Sequence, residues 1–376
     1  MKAEYFVNQI KGLGIETLVG VPDSTLKQFC DYINTDGRDE FHHYVPENEG
    51  SAVGIAAGVY LATRRPACVY MQNSGLGNTV NPITSLMNQA VYDIPMLMLI
   101  GWRGEPGFHD EPQHKFMGQV TLSLLEALEI PYSIIGADTT HEQLEQIMHQ
   151  AGHVLSGNGQ YAIVIRKNTF DVRMGGEYTN ANTLCREEAI GKILLSLKPE
   201  DVVVSTTGKI SREVYEQSNQ LLGQHGQSFL TVGGMGHASM IAFGMAVSMP
   251  EKRVFCLDGD GAVLMHMGSL PFIGKQSPEN LIHICLNNEA HESVGGMPTG
   301  AVGQSYAVIA RHSGYPHTFC AESMQELEQS LKEIGQLHGP VFLEVKVSMG
   351  SRSDLGRPKE TAVENKNTFM KYHGVV

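Results

Sequence analysis

The sequence predicts an α/β protein built from two doubly wound parallel-sheet domains. Three observations carry this. Short apolar runs of strand length alternate with helical patterns, the alternation breaks once in a polar Gly/Asn-rich stretch, and a second series then resumes. The first series reads TLVGVP, FHHYVP, ACVYMQ, PMLMLIG, IPYSIIG and YAIVIRK. Apolar runs with helices between them are what a parallel sheet covered on both faces requires. After Lys167, NTFDVRMGGEYTNANT has no clear period and reads as a linker. VVVSTT, SFLTVGG, VFCLDG, LIHICLN and VFLEVKV form the second series. The expected organisation is therefore a domain over residues 1–170, a linker over 171–183 and a domain over 184–376. With 376 residues, 42% of them apolar, the chain can build two substantial cores.

Composition narrows the function classes. No apolar run approaches the length of a membrane span, and MKAEYFVNQIKGLG lacks the apolar centre of a signal peptide, so a cytoplasmic protein is expected. Cys30, Cys68, Cys185, Cys256, Cys285 and Cys320 are scattered without CxxC spacing and read as reduced core residues, neither zinc ligands nor a disulfide framework. His42, His43, His153, His225, His283, His312 and His317 show no ligand spacing and read as surface or packing residues. A net charge of −13 argues against nucleic acid or an anionic membrane as partner. An anionic substrate then needs a local basic pocket.

Gly259-Asp260-Gly261 ends the run RVFCLDGDG, and Asn287-Asn288 ends the next run, LIHICLNN. Between them AVLMHMGSLPFIGKQSPEN has room for a helix and a return loop, which makes one βαβ unit. Both strands of such a unit point the same way, so Asp260 and the asparagines emerge together at the carboxyl edge, where open α/β sheets bind ligands. A carboxylate and an amide oxygen are hard donors suited to Mg²⁺, whose remaining positions phosphate oxygens and water fill. The glycines allow backbone to approach a diphosphate closely. Gly-Asp-Gly alone also makes ordinary turns; the asparagine pair at the next strand end is what points to a magnesium diphosphate site.

These residues carry a resemblance as well. The GDG and NN elements, with ENEGSAVGIAAGVYLATRR, NSGLGNTVNPITSL, DEPQHKFMGQVT, GGMGHASMIAFGMA, NNEAHESVGGMPT and GSRSDLGRPKET, resemble the thiamine diphosphate (ThDP) enzymes. Within that superfamily the chain is similar, nearly end to end, to the phosphonopyruvate decarboxylase family, with sulfopyruvate decarboxylases as near relatives. The resemblance implies ThDP and Mg²⁺ as cofactors. It implies a fold of the ThDP-binding type, with the first domain binding the pyrimidine and the second the diphosphate. The implied activity is non-oxidative decarboxylation of a small anionic 2-oxoacid, 3-phosphonopyruvate, to phosphonoacetaldehyde and CO₂. A homodimer or higher homo-oligomer with active sites shared between subunits is also implied.

Site residues follow from the same comparison of motifs. Glu49, just after FHHYVP and with Gly58 at the family's spacing, matches the carboxylate that hydrogen-bonds the pyrimidine and activates the cofactor; Glu47 competes with it, and helix N-terminal acids favoured by the dipole are the plainer reading of both. Gly233 and Met235 match the loop that holds the pyrimidine from its other side, although a Met among glycines also serves as core filler. Asp260, Asn288 and the carbonyl of Ala290 are the expected Mg²⁺ ligands, with Gly259 and Gly261 beside the diphosphate and Asn287 either a ligand or a backbone cap. Asp23 and Ser24 fall where related decarboxylases carry a polar catalytic residue, or else cap the helix STLKQFCDYI. Glu292, beside His291, is a candidate proton relay. Two stretches concentrate cations, WRGEPGFHDEPQHKF with Arg103, His109, His114 and Lys115, and SRSDLGRPK with Arg352, Arg357 and Lys359. They are candidates for the substrate's anionic head, with pairing to nearby acids as the alternative.

Other classes fit less well. A carboligase of the acetolactate synthase type would need a middle domain and FAD-binding segments for which no stretch is evident. A non-catalytic ThDP-binding subunit would lack the activating glutamate. A generic nucleotide-binding module finds neither GxxxxGK[ST] nor a strand-anchored GxGxxG.

Overall fold

The computed structural model describes residues 1–172, 178–292 and 296–375. Residues 173–177 of the expected linker lie outside it. Two compact units result, Met1–Glu177 with Val294–Met297, and Tyr178–Ser293 with Pro298–Val376.

In the first unit the apolar runs become strands β1 (Thr17–Gly20), β2 (His42–Tyr44), β3 (Ala67–Gln72), β4 (Met96–Gly101), β5 (Tyr132–Ile135) and β6 (Gln160–Ile165), all parallel, in the order β2-β1-β3-β4-β6-β5. Every residue of β4 and β6 is buried, because apolar clusters cover both faces of the sheet. Each large aliphatic side chain so buried contributes about 1.5–3 kcal/mol, which is why near-continuous Leu, Ile, Val and Met suffices to specify these central strands. One cluster includes Met297, which accepts a hydrogen bond from Asn34 Nδ2 at its sulfur, 3.3 Å away.

The second unit holds β7 (Val202–Ser205), β8 (Ser228–Leu230), β9 (Val254–Gly259), β10 (Leu281–Asn287), β11 (His317–Ala321) and β12 (Val341–Lys346), again all parallel, ordered β11-β12-β10-β9-β7-β8. Counted within its own unit, each sheet therefore has the order 2-1-3-4-6-5. In both, the first strand lies between the second and the third, which places a topological switch point beside its carboxyl end. Strand β11, HTFCA, has no counterpart among the predicted runs. It is a partly exposed edge strand and needs no apolar run.

Two expectations change. The cysteines are all free, but Cys185 and Cys320 are exposed, so only Cys30, Cys68, Cys256 and Cys285 are core residues. The helix expected from Ser24 spans Lys27–Asn34 with Leu26 at its N-cap, so neither Asp23 nor Ser24 caps it. Among the described residues, no helix is long and apolar enough to cross a membrane.

Candidate active site

In the first unit the helix Glu49–Thr63 begins where its sequence allows. Asn48 takes the extended conformation of an N-cap and accepts from Ser51 N at 2.9 Å, which fixes Glu49 as the first helical residue. Glu49 is only 5% exposed, and Asn78 Nδ2 donates to its Oε2 at 2.7 Å. A Cβ on Gly75 would lie 2.4 Å from Glu49 Oε1, so only glycine leaves room for this carboxylate. Glu47, by contrast, is exposed and accepts from the Ser51 hydroxyl. The two candidates are thus in different environments, and Glu49 has the buried one.

Asp23 follows β1 at the switch point and is fully buried. Gln72, at the end of β3, donates to its Oδ1, and Thr25 N donates to Oδ2 at 2.6 Å. Burial raises its pKa, and the bonds from Gln72 and Thr25 and the nearby charge of Arg103 only partly offset this. Arg103 follows β4. Its Nε and Nη2 grip Asp110 at 2.8 and 2.5 Å, and its Nη1 donates to Ser24 Oγ at 3.0 Å. Asn73 ties the two strand ends together, donating to Arg103 O at 2.8 Å and accepting from Arg103 N at 3.2 Å.

Burial acts to raise the pKa of Asp110, but Arg103 and the N–H groups of Gly104 and Glu111 outweigh it and hold the carboxyl below its usual range. Burial pushes His114 down to about 4, with Arg103 adding to the effect, so at neutral pH it is an uncharged imidazole and no cation. His109 and Lys115 are exposed. The carboxyl edge of this sheet therefore gathers Asp23, Ser24 and Arg103 as the sequence suggests. It adds Gln72 and Asn78, which sequence reasoning missed because nothing local marks them, while Asp110 pairs with Arg103 as the alternative reading of that stretch had it.

In the second unit Asp260 opens the short helix Asp260–Met265, with extended Gly259 at the N-cap. Its carboxylate is 3% exposed and accepts from Thr299 Oγ1 at 2.6 Å. Burial raises its pKa to about 6, against the bonds from Thr299 and from the N–H groups of Asp260, Gly261 and Asn288. A buried carboxylate so placed is electrostatically incomplete and suits a cation. Asn287 donates to Glu344 Oε1 at 2.9 Å and accepts from Glu289 N at 3.0 Å, so both ends of its amide are engaged within the fold. Asn288 donates from Nδ2 to Glu292 Oε2 at 2.9 Å and accepts at Oδ1 from Ala290 N at 3.2 Å.

The loop carrying Gly233 and Met235 turns on two positive-φ glycines, Gly234 (69°) and Gly236 (85°). It brings the Met235 methyl to 3.4 Å from the point where a Cβ on Gly261 would stand, beside the His291 ring. His291 is pushed down to about 4 by burial. Glu292 lies between Arg186 Nη1 at 2.5 Å and Lys209 Nζ at 2.6 Å. Burial acts to raise its pKa, but the two cations prevail and lower it, which favours the anionic form of Glu292. Arg352 is engaged as the alternative reading had it, by Glu187, Glu216 and Asp354, and pins the C-terminal loop to the two helices Arg186–Leu195 and Lys209–Leu222.

Known families match both units of the chain. Residues 2–125 match the N-terminal TPP binding domain of thiamine pyrophosphate enzymes, and residues 207–345 match the C-terminal TPP binding domain. Phosphonopyruvate decarboxylase of Streptomyces viridochromogenes is 33% identical over 96% of this chain and 92% of its own. That of Streptomyces hygroscopicus is 32% identical over the same shares. Sulfopyruvate decarboxylase of Methanosarcina acetivorans is 27% identical over 93% of this chain and 92% of its own. With a relative above 30% identity along nearly its whole length, the chain belongs to the thiamine pyrophosphate enzymes, in the family of the phosphonopyruvate decarboxylases.

Proposed function

We propose that this chain is a ThDP- and Mg²⁺-dependent, non-oxidative decarboxylase that converts 3-phosphonopyruvate to phosphonoacetaldehyde and CO₂. The observation that carries the cofactor reading is the buried Asp260 carboxylate between two glycines at the end of β9, with Asn288 at the end of the neighbouring β10. The substrate reading rests on similarity to the Streptomyces relatives over nearly the whole of both chains.

When bound, thiamine supplies the carbanion that adds to the 2-oxoacid carbonyl and takes up electrons as CO₂ leaves. Asp260, Asn288 and the Ala290 carbonyl would hold the metal, and Gly259 and Gly261 would leave the diphosphate room. Asn78 occupies Oε2 of Glu49, which leaves Oε1, over Gly75, to exchange a proton with the pyrimidine ring. Gly233 and Met235 shape the pyrimidine's other side. Asp23, whose burial favours its protonated form, and Ser24 are positioned to handle protons near the substrate. Arg103 receives the phosphonate through Nη1, the side now bonded to Ser24 Oγ, while Asp110 holds its Nε and Nη2. The working unit is a cytoplasmic homodimer or larger assembly, with Glu49 of one chain and Asp260 of another serving one cofactor.

Sulfopyruvate is the second reading, favoured by the Methanosarcina relative, since a sulfonate presents the same three oxygens with one charge less. Initial rates on phosphonopyruvate, sulfopyruvate and pyruvate, with ThDP and Mg²⁺ supplied, decide between them. The proposal expects phosphonopyruvate to have the highest kcat/KM by at least an order of magnitude. A preference for sulfopyruvate moves the assignment to the second reading, and no decarboxylation of any of the three removes both.

A further inference from the structure

An asparagine that ligates a hard cation must present its oxygen, yet its amide has almost the same shape when turned end for end. For Asn288 the bond that Oδ1 accepts from Ala290 N at 3.2 Å gives one constraint on which end faces the metal, and the partner on the far side gives the other. For Asn288 that partner is Glu292, whose Oε2 accepts from Nδ2 at 2.9 Å. An ionised carboxylate accepts and cannot donate, so the turned amide would set oxygen against oxygen.

Glu292 does not hold this position alone. Its Oε2 also accepts from Arg186 Nη1 at 2.5 Å, and its Oε1 from Lys209 Nζ at 2.6 Å. Arg186 is 4% exposed and gives Nε and Nη2 to Glu213 at 2.8 and 2.7 Å. Two cations thus face two carboxylates, a balance that makes burial of the group tolerable. Arg186 opens the helix Arg186–Leu195, while Lys209 and Glu213 stand on the helix Lys209–Leu222. The network therefore ties the loop after β10 to two helices that carry none of the expected metal ligands.

We propose that Glu292 and Arg186 are positioning residues that fix the amide orientation of Asn288 and so set the affinity of this unit for Mg²⁺. The inference rests on the reading of Asp260 and Asn288 as the metal site. Glutamine in place of Glu292 keeps the shape but can accept or donate, so the far side no longer forbids the turned amide and the bond from Ala290 N is left to hold the orientation. Lysine in place of Arg186 keeps the charge but cannot grip Glu213 and Glu292 together.

The test is calorimetric titration of Mg²⁺ into the full-length protein with saturating ThDP, for wild type, Glu292→Gln, Arg186→Lys and Asp260→Ala, together with the Tm of each metal-free protein and kcat at saturating Mg²⁺. The expected result is Mg²⁺ affinity 10- to 100-fold weaker in Glu292→Gln and weaker in Arg186→Lys, an almost unchanged metal-free Tm for Glu292→Gln, and kcat restored to within a few-fold by excess metal. Unchanged Mg²⁺ affinity in Glu292→Gln, while Asp260→Ala abolishes binding, overturns the inference and leaves the site intact. A fall in kcat at saturating Mg²⁺ with unchanged affinity also overturns it, and returns Glu292 to the chemistry. Unaltered affinity in Asp260→Ala instead overturns the underlying metal-site reading. If Arg186→Lys fails to fold, Glu292→Gln alone decides.

Discussion

Glu49 and Glu47 stand two residues apart, and only the first is enclosed. Glu49→Gln is therefore expected to retain ThDP yet slow exchange of the thiazolium C2 proton and decarboxylation by about a hundredfold or more. Glu47→Gln should change neither; NMR exchange rates on the two variants separate them, and the opposite result would shift the register by two residues. The arginines divide similarly. Arg103→Ala should raise KM for phosphonopyruvate by about one to two orders of magnitude, about 1.5–3 kcal/mol of charge-assisted hydrogen bonding, while slow turnover of pyruvate changes far less. Arg352 spends its fork on Glu187, Glu216 and Asp354, so Arg352→Ala should affect both substrates alike. Steady-state kinetics on the two substrates checks both statements.

Histidines supply a pH prediction. Burial pushes His43 and His114 down to about 4, below the value of roughly 6.5 expected in an unfolded chain. Between those values the unfolded chain binds the extra protons, so the stability associated with these neutral imidazoles is complete above about pH 6.5 and is lost as pH falls toward 4. Thermal melts across that range should show Tm already declining above the ordinary carboxylate range, with Asp260, raised to about 6, acting in the opposite sense. A doubly substituted His43→Gln/His114→Gln protein should show a shallower decline.

At the scale of elements, the helix Glu49–Thr63 depends on its cap. Asn48→Ala should cost about 1 kcal/mol in a denaturant melt and also blunt catalysis, because the cap determines where Glu49 stands. A loss of stability with full activity would mean that Glu49 holds its place through Asn78 and Gly75 alone. The central strands were legible in the sequence because burial on both faces demands continuous apolar runs, as in MLMLIG and QYAIVI. Strand β11 was not, because an edge strand can be as polar as HTFCA. The GDG and NN pair was legible because one βαβ unit spans both. Gln72, Asn78, Thr299 and Arg186 were not, since each meets its partners across at least 27 residues of chain and no local spacing records that meeting.

Across the whole molecule, the proposed sharing of sites between subunits leads to a complementation test. Glu49→Gln and Asp260→Ala proteins, each inactive, should regain activity when mixed under conditions that allow subunit exchange, because one of the two sites in a mixed dimer is intact. Absence of recovery despite exchange shown by mass spectrometry would rule out sharing. The repeated strand order 2-1-3-4-6-5 also bears on the making of the protein. All six strands of the first sheet are complete by Ile165, and more than half of the chain remains to be translated at that point. At about 5–20 residues per second, the first sheet has on the order of 10–40 s to close before the last residue is added. Met297 is the late exception: its place in the first core stays open until the ribosome has passed β10, so the N-terminal half matures in two instalments separated by seconds.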